Sequence, residues 1–515
     1  VQSTGVVREL PRKGQSGVQA YTVATQENEG WELIRIEVST RDLKNKSRYC
    51  NEENKEIKKY DGELYKCRDK EDVLGVDTMK KFEDIIIPAA MKLHEDRLFV
   101  RRGSGKLRVP QFQDESYCKH FTVPDEHHSD GVDNADFVLY VAAVPLSSFG
   151  VTCAVENSTG RPIVGAVNYA PTTYEYMRFD VRRVAQLIAH ALGFNLPEME
   201  RKGIVTEVEL RGAKRKVVNS SKTVEKAQKH YNCSNLKGME LGTKGDDTRV
   251  YWLRHIARDE LMTPMSVYNY GAGYYTALTM ALFEDLQYYK ANWGMEEQMS
   301  WGNQSGCDFL HKWCIVENKV RYPEYFCNET IFRCRSDRLA YAPCSVPASM
   351  IVVPEDICHT SGDYPYVDRS GNHLTTYYCD DNTTDEVAGS IMGPDSFCLD
   401  AEELKIEGAA NAILNQNGVC ARVLCDYEKR TVSVKYNGSD TFKECPEGSS
   451  IDVKSSVFES GKIKCPKYDE VCIIAFNGSS RVPFVVNRPP ASSAAAEESA
   501  SSVDTSLQKD QENKE

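Results

Sequence analysis

No run in this 515-residue chain approaches the roughly 18–20 consecutive apolar residues that span a bilayer, so no transmembrane helix is expected. Positive charge is in deficit. Against 76 Asp and Glu there are 63 Lys and Arg, a net charge of −13, which disfavours nucleic acid as a partner because phosphate binding needs a basic surface. The eighteen cysteines contain no C-x-x-C pair, so zinc-ribbon spacing is absent. There is no internal repeat. No signal peptide is visible, and the chain starts at Val1 rather than Met, which predicts a processed or trimmed form.

What is present points to an oxidising compartment. Nine of the cysteines fall between Cys307 and Cys420, a density that reads as a disulfide framework, and the even total allows nine bridges of undetermined connectivity. N-x-S/T sequons occur at Asn45, Asn157, Asn219, Asn232, Asn303, Asn328, Asn382, Asn437 and Asn477. Asn232 is the weakest of them, since Cys233 fills its middle position. Together these features predict a secreted or cell-surface glycoprotein. The one dense basic run, Arg211–Lys216, reads as a solvated loop.

Taken in order, residues 1–30 look like an extended leader. Trp31–Val38 alternates as a half-buried strand does, and a disulfide-closed loop between Cys50 and Cys67 follows. Val76–His94 has a helical apolar face interrupted by Pro88, and Leu98–Val109 reads as a short strand pair. Phe137–Val144 is a continuous apolar run suited to a central strand, with another strand at Gly165–Ala170. Tyr174–Leu192 is the next helix, and Gly271–Lys290 is helical from Tyr274 onward. The fold class is α+β. Domains are expected at 31–194, 195–301 and 302–488, the last rich in disulfides. The Ser/Ala-rich, charged tail 489–515 is expected to be disordered.

The helix ending at Gly193 organises the rest. Its last residues, His190-Ala-Leu-Gly193-Phe194, match the back half of an extended H-E-x-x-H zinc-protease motif. That motif sets two imidazoles one turn apart, a glutamate between them to polarise the metal-bound water, and a glycine to turn the chain. Four residues before His190 stands Gln186, and three before it Leu187. The frame of the motif is present without its chemistry.

The chain resembles the leishmanolysins, surface zinc metalloproteases of kinetoplastids. The resemblance rests on Asp136–Val144, Ile188–Phe194, His230–Leu241, Trp252–Pro264, Gly273–Leu286 and Ser305–Leu310, in family order. It implies a metzincin-like N-terminal domain with a mixed sheet and active-site helix, a small middle domain carrying the third ligand, and a disulfide-rich C-terminal domain. A surface location, often with a glycosylphosphatidylinositol anchor, and cleavage of host proteins are also implied. By the same resemblance His190 matches the second zinc histidine, Gly193 the bend and Met262 the methionine turn. The first histidine falls on Gln186, the catalytic glutamate on Leu187 and the third histidine on Tyr251.

An amide oxygen is a poor zinc ligand, a phenol of ordinary pKa near ~10 must lose a proton to bind well, and leucine cannot move a proton. The leading expectation is therefore an inactive, leishmanolysin-like surface protein without a cofactor, acting by binding, adhesion or as a coat. Its partners would be host or extracellular proteins or peptides in a residual cleft, with membrane contact only through a lipid anchor. The alternative is an active zinc endopeptidase using Gln186, His190 and either Tyr251 or His255. By itself His255 reads as a surface histidine. His127 and His128 sit in an acidic loop where adjacent side chains diverge, and Glu284 and Asp285 read as structural.

Overall fold

Phe137–Ala142 is apolar on both faces and completely buried, as a strand covered on both sides must be. It pairs in parallel with Ile36–Ser39 on one side and Pro162–Asn168 on the other. Phe149–Val155 then adds antiparallel to Pro162–Asn168 and forms one edge of this mixed four-stranded sheet. Against the sheet lies the central helix Met177–Ala191, in which every residue except Met177 and Arg183 is buried. Gly150 makes that approach possible. A Cβ there would come within 1.8 Å of the Leu187 carbonyl oxygen.

The computed structural model describes residues 30–489 apart from 61, 69–71, 114–115, 146, 171–176, 244–248, 266–270, 318, 345–357, 359, 363–365, 368–372, 375, 382–386 and 407–415, together with a strand pair Val7–Arg8 and Ala20–Tyr21. Most of the leader, the tail beyond Pro489 and Asn382 lie outside the described residues. No described helix is long and apolar enough to cross a membrane.

Several local expectations are corrected. Trp31–Val38 is two strands, because Trp31–Leu33 pairs with Leu98–Arg101 whereas Ile36–Ser39 joins the mixed sheet. Leu98–Arg101 also pairs with Lys290–Ala291, so it is the middle of a three-stranded sheet rather than half of a local hairpin. The basic run is likewise no loop. Val205–Leu210 and Ala213–Val218 form a hairpin turning at Arg211-Gly212, and Arg211 is drawn inward by Glu240 at 2.6 Å. In Val76–Glu95, a π-helical turn at Phe82–Ile86 separates two α segments. Pro88 then falls in the first turn of the second segment, where its missing N–H costs nothing. The helix after Tyr274 is limited to Ala277–Asp285.

One core runs from Ile34 to Phe326 and takes in Ile473 and Ile474 near the end of the chain. A second core lines a six-stranded antiparallel sheet built around Ser396–Ile406 and Gln416–Asp426. All eighteen cysteines are paired, six of the nine bridges joining residues between Cys314 and Cys472. The Cys50–Cys67 loop is closed as expected, and Cys118–Cys153 pins the edge strand. This is the mixed α and β architecture with a disulfide-rich C-terminal region that the sequence predicts.

Candidate functional site

The central helix ends in a Schellman turn. Phe194 N–H donates to Ala189 at 3.0 Å, Gly193 N–H donates to His190 at 3.2 Å, and Gly193 has φ +115°, a value that favours glycine. The turn brings the Phe194 carbonyl back to His190 Nδ1 at 2.7 Å. With its proton held there, neutral His190 presents the lone pair of Nε2, and that buried atom has no hydrogen-bond partner among the described residues. Burial holds the imidazole down to about 4, and the charges of Arg183 and Arg249 push the same way against the hydrogen bond to Phe194.

Gln186 lies one turn earlier on the same face and is fully buried. Its Nε2 donates to the carbonyls of Leu261 and Thr263, both at 2.6 Å. Those two carbonyls flank Met262, itself fully buried. The amide oxygen accepts from Arg183. Gln186 therefore ties the helix to the methionine-bearing turn by hydrogen bonds alone. Tyr251 sits in the short strand Val250–Trp252, with its ring edge-on to His190 at 5.0 Å between centroids. The next residue, Trp252, donates its N–H to the Met262 carbonyl at 2.8 Å. Leu187 packs in the main core, 1% exposed.

Gln186, His190, Tyr251 and Met262 are thus brought together from separate parts of the chain. His255 is not with them. It is buried rather than exposed, stacked on Phe326 at 4.8 Å and on Phe309 at 5.7 Å, and it follows a strand rather than lying one helical turn after Tyr251. His127 and His128 lie in the short helix Asp125–Ser129, not an extended loop. His127 meets the Tyr140 hydroxyl at 2.8 Å and His128 the Val109 carbonyl at 2.8 Å. Asp285 accepts from the Thr223 N–H and hydroxyl, each at 2.8 Å, at the start of helix Ser221–Tyr231, while Glu284 accepts from Ala291 N–H and the Trp293 indole. Seven sequon asparagines (Asn45, Asn157, Asn219, Asn232, Asn303, Asn328 and Asn477) are exposed, and Asn437 is half-buried. Cys233, inside the Asn232 sequon, is bridged to Cys307.

Sequence reasoning passed over three groups. Arg183 and Arg249 are placed by the fold beside His190, and only their nearness in sequence to Gln186 and Tyr251 hinted at it. Glu260, two residues before Met262, is fully buried and pushed up to about 7 by desolvation. Hydrogen bonds from the Thr279 hydroxyl at 2.6 Å, the Thr276 hydroxyl at 2.9 Å and the Met262 N–H offset part of that. Those bonds commit the carboxylate to the turn itself, so it is not a general base facing a substrate.

The edge strand and the end of the helix enclose a groove of about 420 Å³, within the range of small-molecule and peptide sites. Gly150–Val155 form one wall, with His190, Asn195, Glu198 and Arg249 opposite.

The leishmanolysin family profile matches residues 2–478. A leishmanolysin homolog of Crithidia fasciculata is 33% identical over 469 residues, covering 86% of this chain and 71% of the relative. The leishmanolysin of Leishmania major is 34% identical over 469 residues, covering 86% and 76%. The chain belongs to the leishmanolysin family.

More distant similarity reaches a leishmanolysin-like peptidase of Drosophila pseudoobscura pseudoobscura, 24% identical over 56% of each chain. Zinc is what this family implies, and the donors here do not fit it. A zinc site wants three anionic or neutral N, O or S ligands with lone pairs to give. Here one imidazole qualifies, the amide has both its N–H groups committed and a guanidinium on its oxygen, and two cationic arginines lie within Coulombic reach.

Proposed function

We propose that this member of the leishmanolysin family is a surface or secreted glycoprotein that binds extended peptide segments in its cleft and does not hydrolyse them. One observation carries the reading. Gln186 bridges the helix to the Met262 turn through two 2.6 Å hydrogen bonds, so the centre holds together without a metal. At the position the family resemblance assigns to the general base stands Leu187, which can neither accept nor donate a proton. Loss of such a base alone typically costs ~10²–10⁴ in rate, and loss of metal-activated water adds to it.

Peptide binding is supported by the edge strand. Phe149–Val155 has its outer side unpaired among the described residues, and it carries neither a charge nor a proline, the usual protections against strand addition. A peptide added there gains main-chain hydrogen bonds, with alternate side chains turned toward the groove. Adhesion to host or extracellular proteins is the role this geometry suits.

Metal analysis and a casein digest of the purified protein test the reading. No stoichiometric zinc and no digestion are expected, and one equivalent of zinc that disappears in His190→Ala would overturn it. The variant Gln186→His, Leu187→Glu, Tyr251→His should acquire both zinc and activity if the rest of the scaffold is competent. For the alternative, an active enzyme with unusual ligands, the edge-on contact of Tyr251 with His190 favours Tyr251 over His255 as the third ligand. Chelator-sensitive cleavage by the unmodified protein would establish it.

A further inference from the structure

A second pocket, of about 310 Å³, lies away from the cleft where separate stretches of chain meet. The loop 294–298 gives one side. The short helix Tyr468–Val471 and the hairpin turn at Arg430 give a second, and the late stretch 481–485 a third. None of its lining residues is shared with the groove. Arg430 lies over the Tyr468 ring, 4.6 Å from its centroid, and donates to Asp469 at 2.6 Å. Arg481 donates to the Tyr427 hydroxyl at 2.6 Å and lies 5.6 Å from the centroid of that ring. Burial pushes the half-buried Tyr468 phenol up, and the charges of Arg430 and, more weakly, Arg481 oppose it, so both cations act on one ring. Ile473, Val482 and Pro483 add apolar surface.

We propose that this pocket is a carbohydrate-binding site that takes a neutral saccharide unit. Its polar groups decide the ligand class. Arg430 and Arg481 bring N–H donors, Asp469 and Glu296 bring carboxylate acceptors, and the exposed Gln298 amide offers both. An anion is served by donors alone and a cation by acceptors alone, and each would meet like charge here. A sugar hydroxyl donates and accepts at once, so it matches a wall of both signs. The carboxylates are also oriented in advance, Asp469 by Arg430 and Glu296 by the Gly294 N–H at 2.6 Å, which lowers the cost of binding. Aromatic side chains combine apolar surface with a polar handle, and Tyr468 beside Ile473, Val482 and Pro483 offers such a surface to the C–H face of a sugar ring. The volume falls at the lower end of the roughly 300–1,000 Å³ of small-ligand sites, which suits the tip of a glycan. That tip could belong to another molecule or to a glycan of this chain, for which the exposed Asn477 sequon lies on the same late stretch as Arg481.

Saturation-transfer NMR on the full-length, disulfide-intact protein tests the proposal. Lactose, maltose and chitobiose are the neutral probes and sialyllactose the charged one, each measured before and after treatment of the protein with an N-glycosidase. At least one neutral disaccharide is expected to bind, with sialyllactose no more than about threefold tighter than lactose. Binding in both preparations assigns the pocket to glycans of other molecules, and binding only after treatment assigns it to the chain's own. Tyr468→Ala should abolish the signal, and Tyr468→Phe, which keeps the ring, should retain it. Asp469→Asn and Arg481→Gln should each weaken binding about tenfold, and they decide the matter if Tyr468→Ala fails to fold. Binding of no neutral probe in either preparation, a preference for sialyllactose beyond about threefold, or binding untouched by Asp469→Asn and Arg481→Gln would overturn the proposal.

Discussion

Arg182, Gln186 and His190 follow one another at four-residue spacing down one face of the central helix, yet the two ends of that stripe are built on opposite principles. At the Arg182 end the charges are kept, two guanidinium groups sharing one carboxylate. Glu297 accepts from Arg182 and lies 3.4 Å from Arg97, while Arg182 also donates to the Gly478 carbonyl at 2.7 Å and the Gly273 carbonyl at 3.1 Å. Those contacts hold the Glu297 carboxyl below its usual range despite complete burial, which pushes it up, with Arg182 acting more strongly than Arg97. At the His190 end the stripe itself carries no charge, although Arg183 on the neighbouring turn donates to the Gln186 amide oxygen. An amide spans the gap, a neutral imidazole follows it, and one buried lone pair has no hydrogen-bond partner among the described residues. Buried charge persists in this protein where a counter-ion and hydrogen-bond acceptors lie beside it, and neutral groups take over where the partner would have to be a metal.

The contrast is most easily broken at Glu297. Glu297→Ala leaves two buried guanidinium groups without their anion, and breaking such a pair typically costs about 3–5 kcal/mol. Urea unfolding should show a loss of that size, and a loss under about 1 kcal/mol would mean that the Arg182 end is not held by its ion cluster. Next comes Gln186→Ala, which strips two buried carbonyls of their donors for about 2–3 kcal/mol. The same unfolding assay reads it, and a null effect would remove the amide as the tie between helix and turn.

Acid and base titrations then sharpen the comparison. His94 and His255, both lowered to about 3 by burial, and His190, lowered to about 4, are neutral when folded but bind protons when unfolded below about 6.5. Stability should therefore rise with pH up to that value. Glu260 and Asp180, both raised to about 7 chiefly by burial, act oppositely. Each holds its proton in the folded state, so its contribution is present below the unfolded carboxyl pKa and falls as pH climbs toward 7. Glu260→Gln should flatten the fall between about pH 4.5 and 7, and an unchanged profile would assign that fall elsewhere. The smallest effect is expected from Arg249→Gln, which shortens a half-buried side chain at the groove while keeping a hydrogen-bond donor, and should alter stability by no more than ~1 kcal/mol. A larger loss would mark Arg249 as structural.

Much of the site was legible because it is local. A histidine, two intervening positions and Gly193 define a helix end by themselves, and the fully apolar run at Phe137–Val144 could only be an interior strand. The failures were all non-local. Whether Leu98–Arg101 paired with Val109 or with Trp31–Leu33 depended on a strand nearly seventy residues earlier. The basic character of Ala213–Val218 concealed a hairpin whose Arg211 is drawn inward by Glu240, thirty residues away. His255 looked like a surface residue because nothing near it in sequence announces Phe309 and Phe326, which stack on it. Gln186 could be read from sequence as a lost ligand, and its two acceptors emerged only once the fold had brought Leu261 and Thr263 to it.

The Gly478 carbonyl that receives Arg182 Nε has a bearing on how the chain is made. Synthesis runs from the N-terminus, and the central helix is complete nearly three hundred residues before its acceptor exists. Asn292, which donates to the Val485 carbonyl at 2.7 Å, and Arg97, which reaches the Ser480 hydroxyl at 2.9 Å, wait for the same late stretch. The first domain to emerge is therefore the last to be finished. A nascent chain halted before residue 478 would already have Gly273 and Glu297 on the Arg182 guanidinium, and would lack only the last of its acceptors, the one that ties the central helix to the far end of the chain.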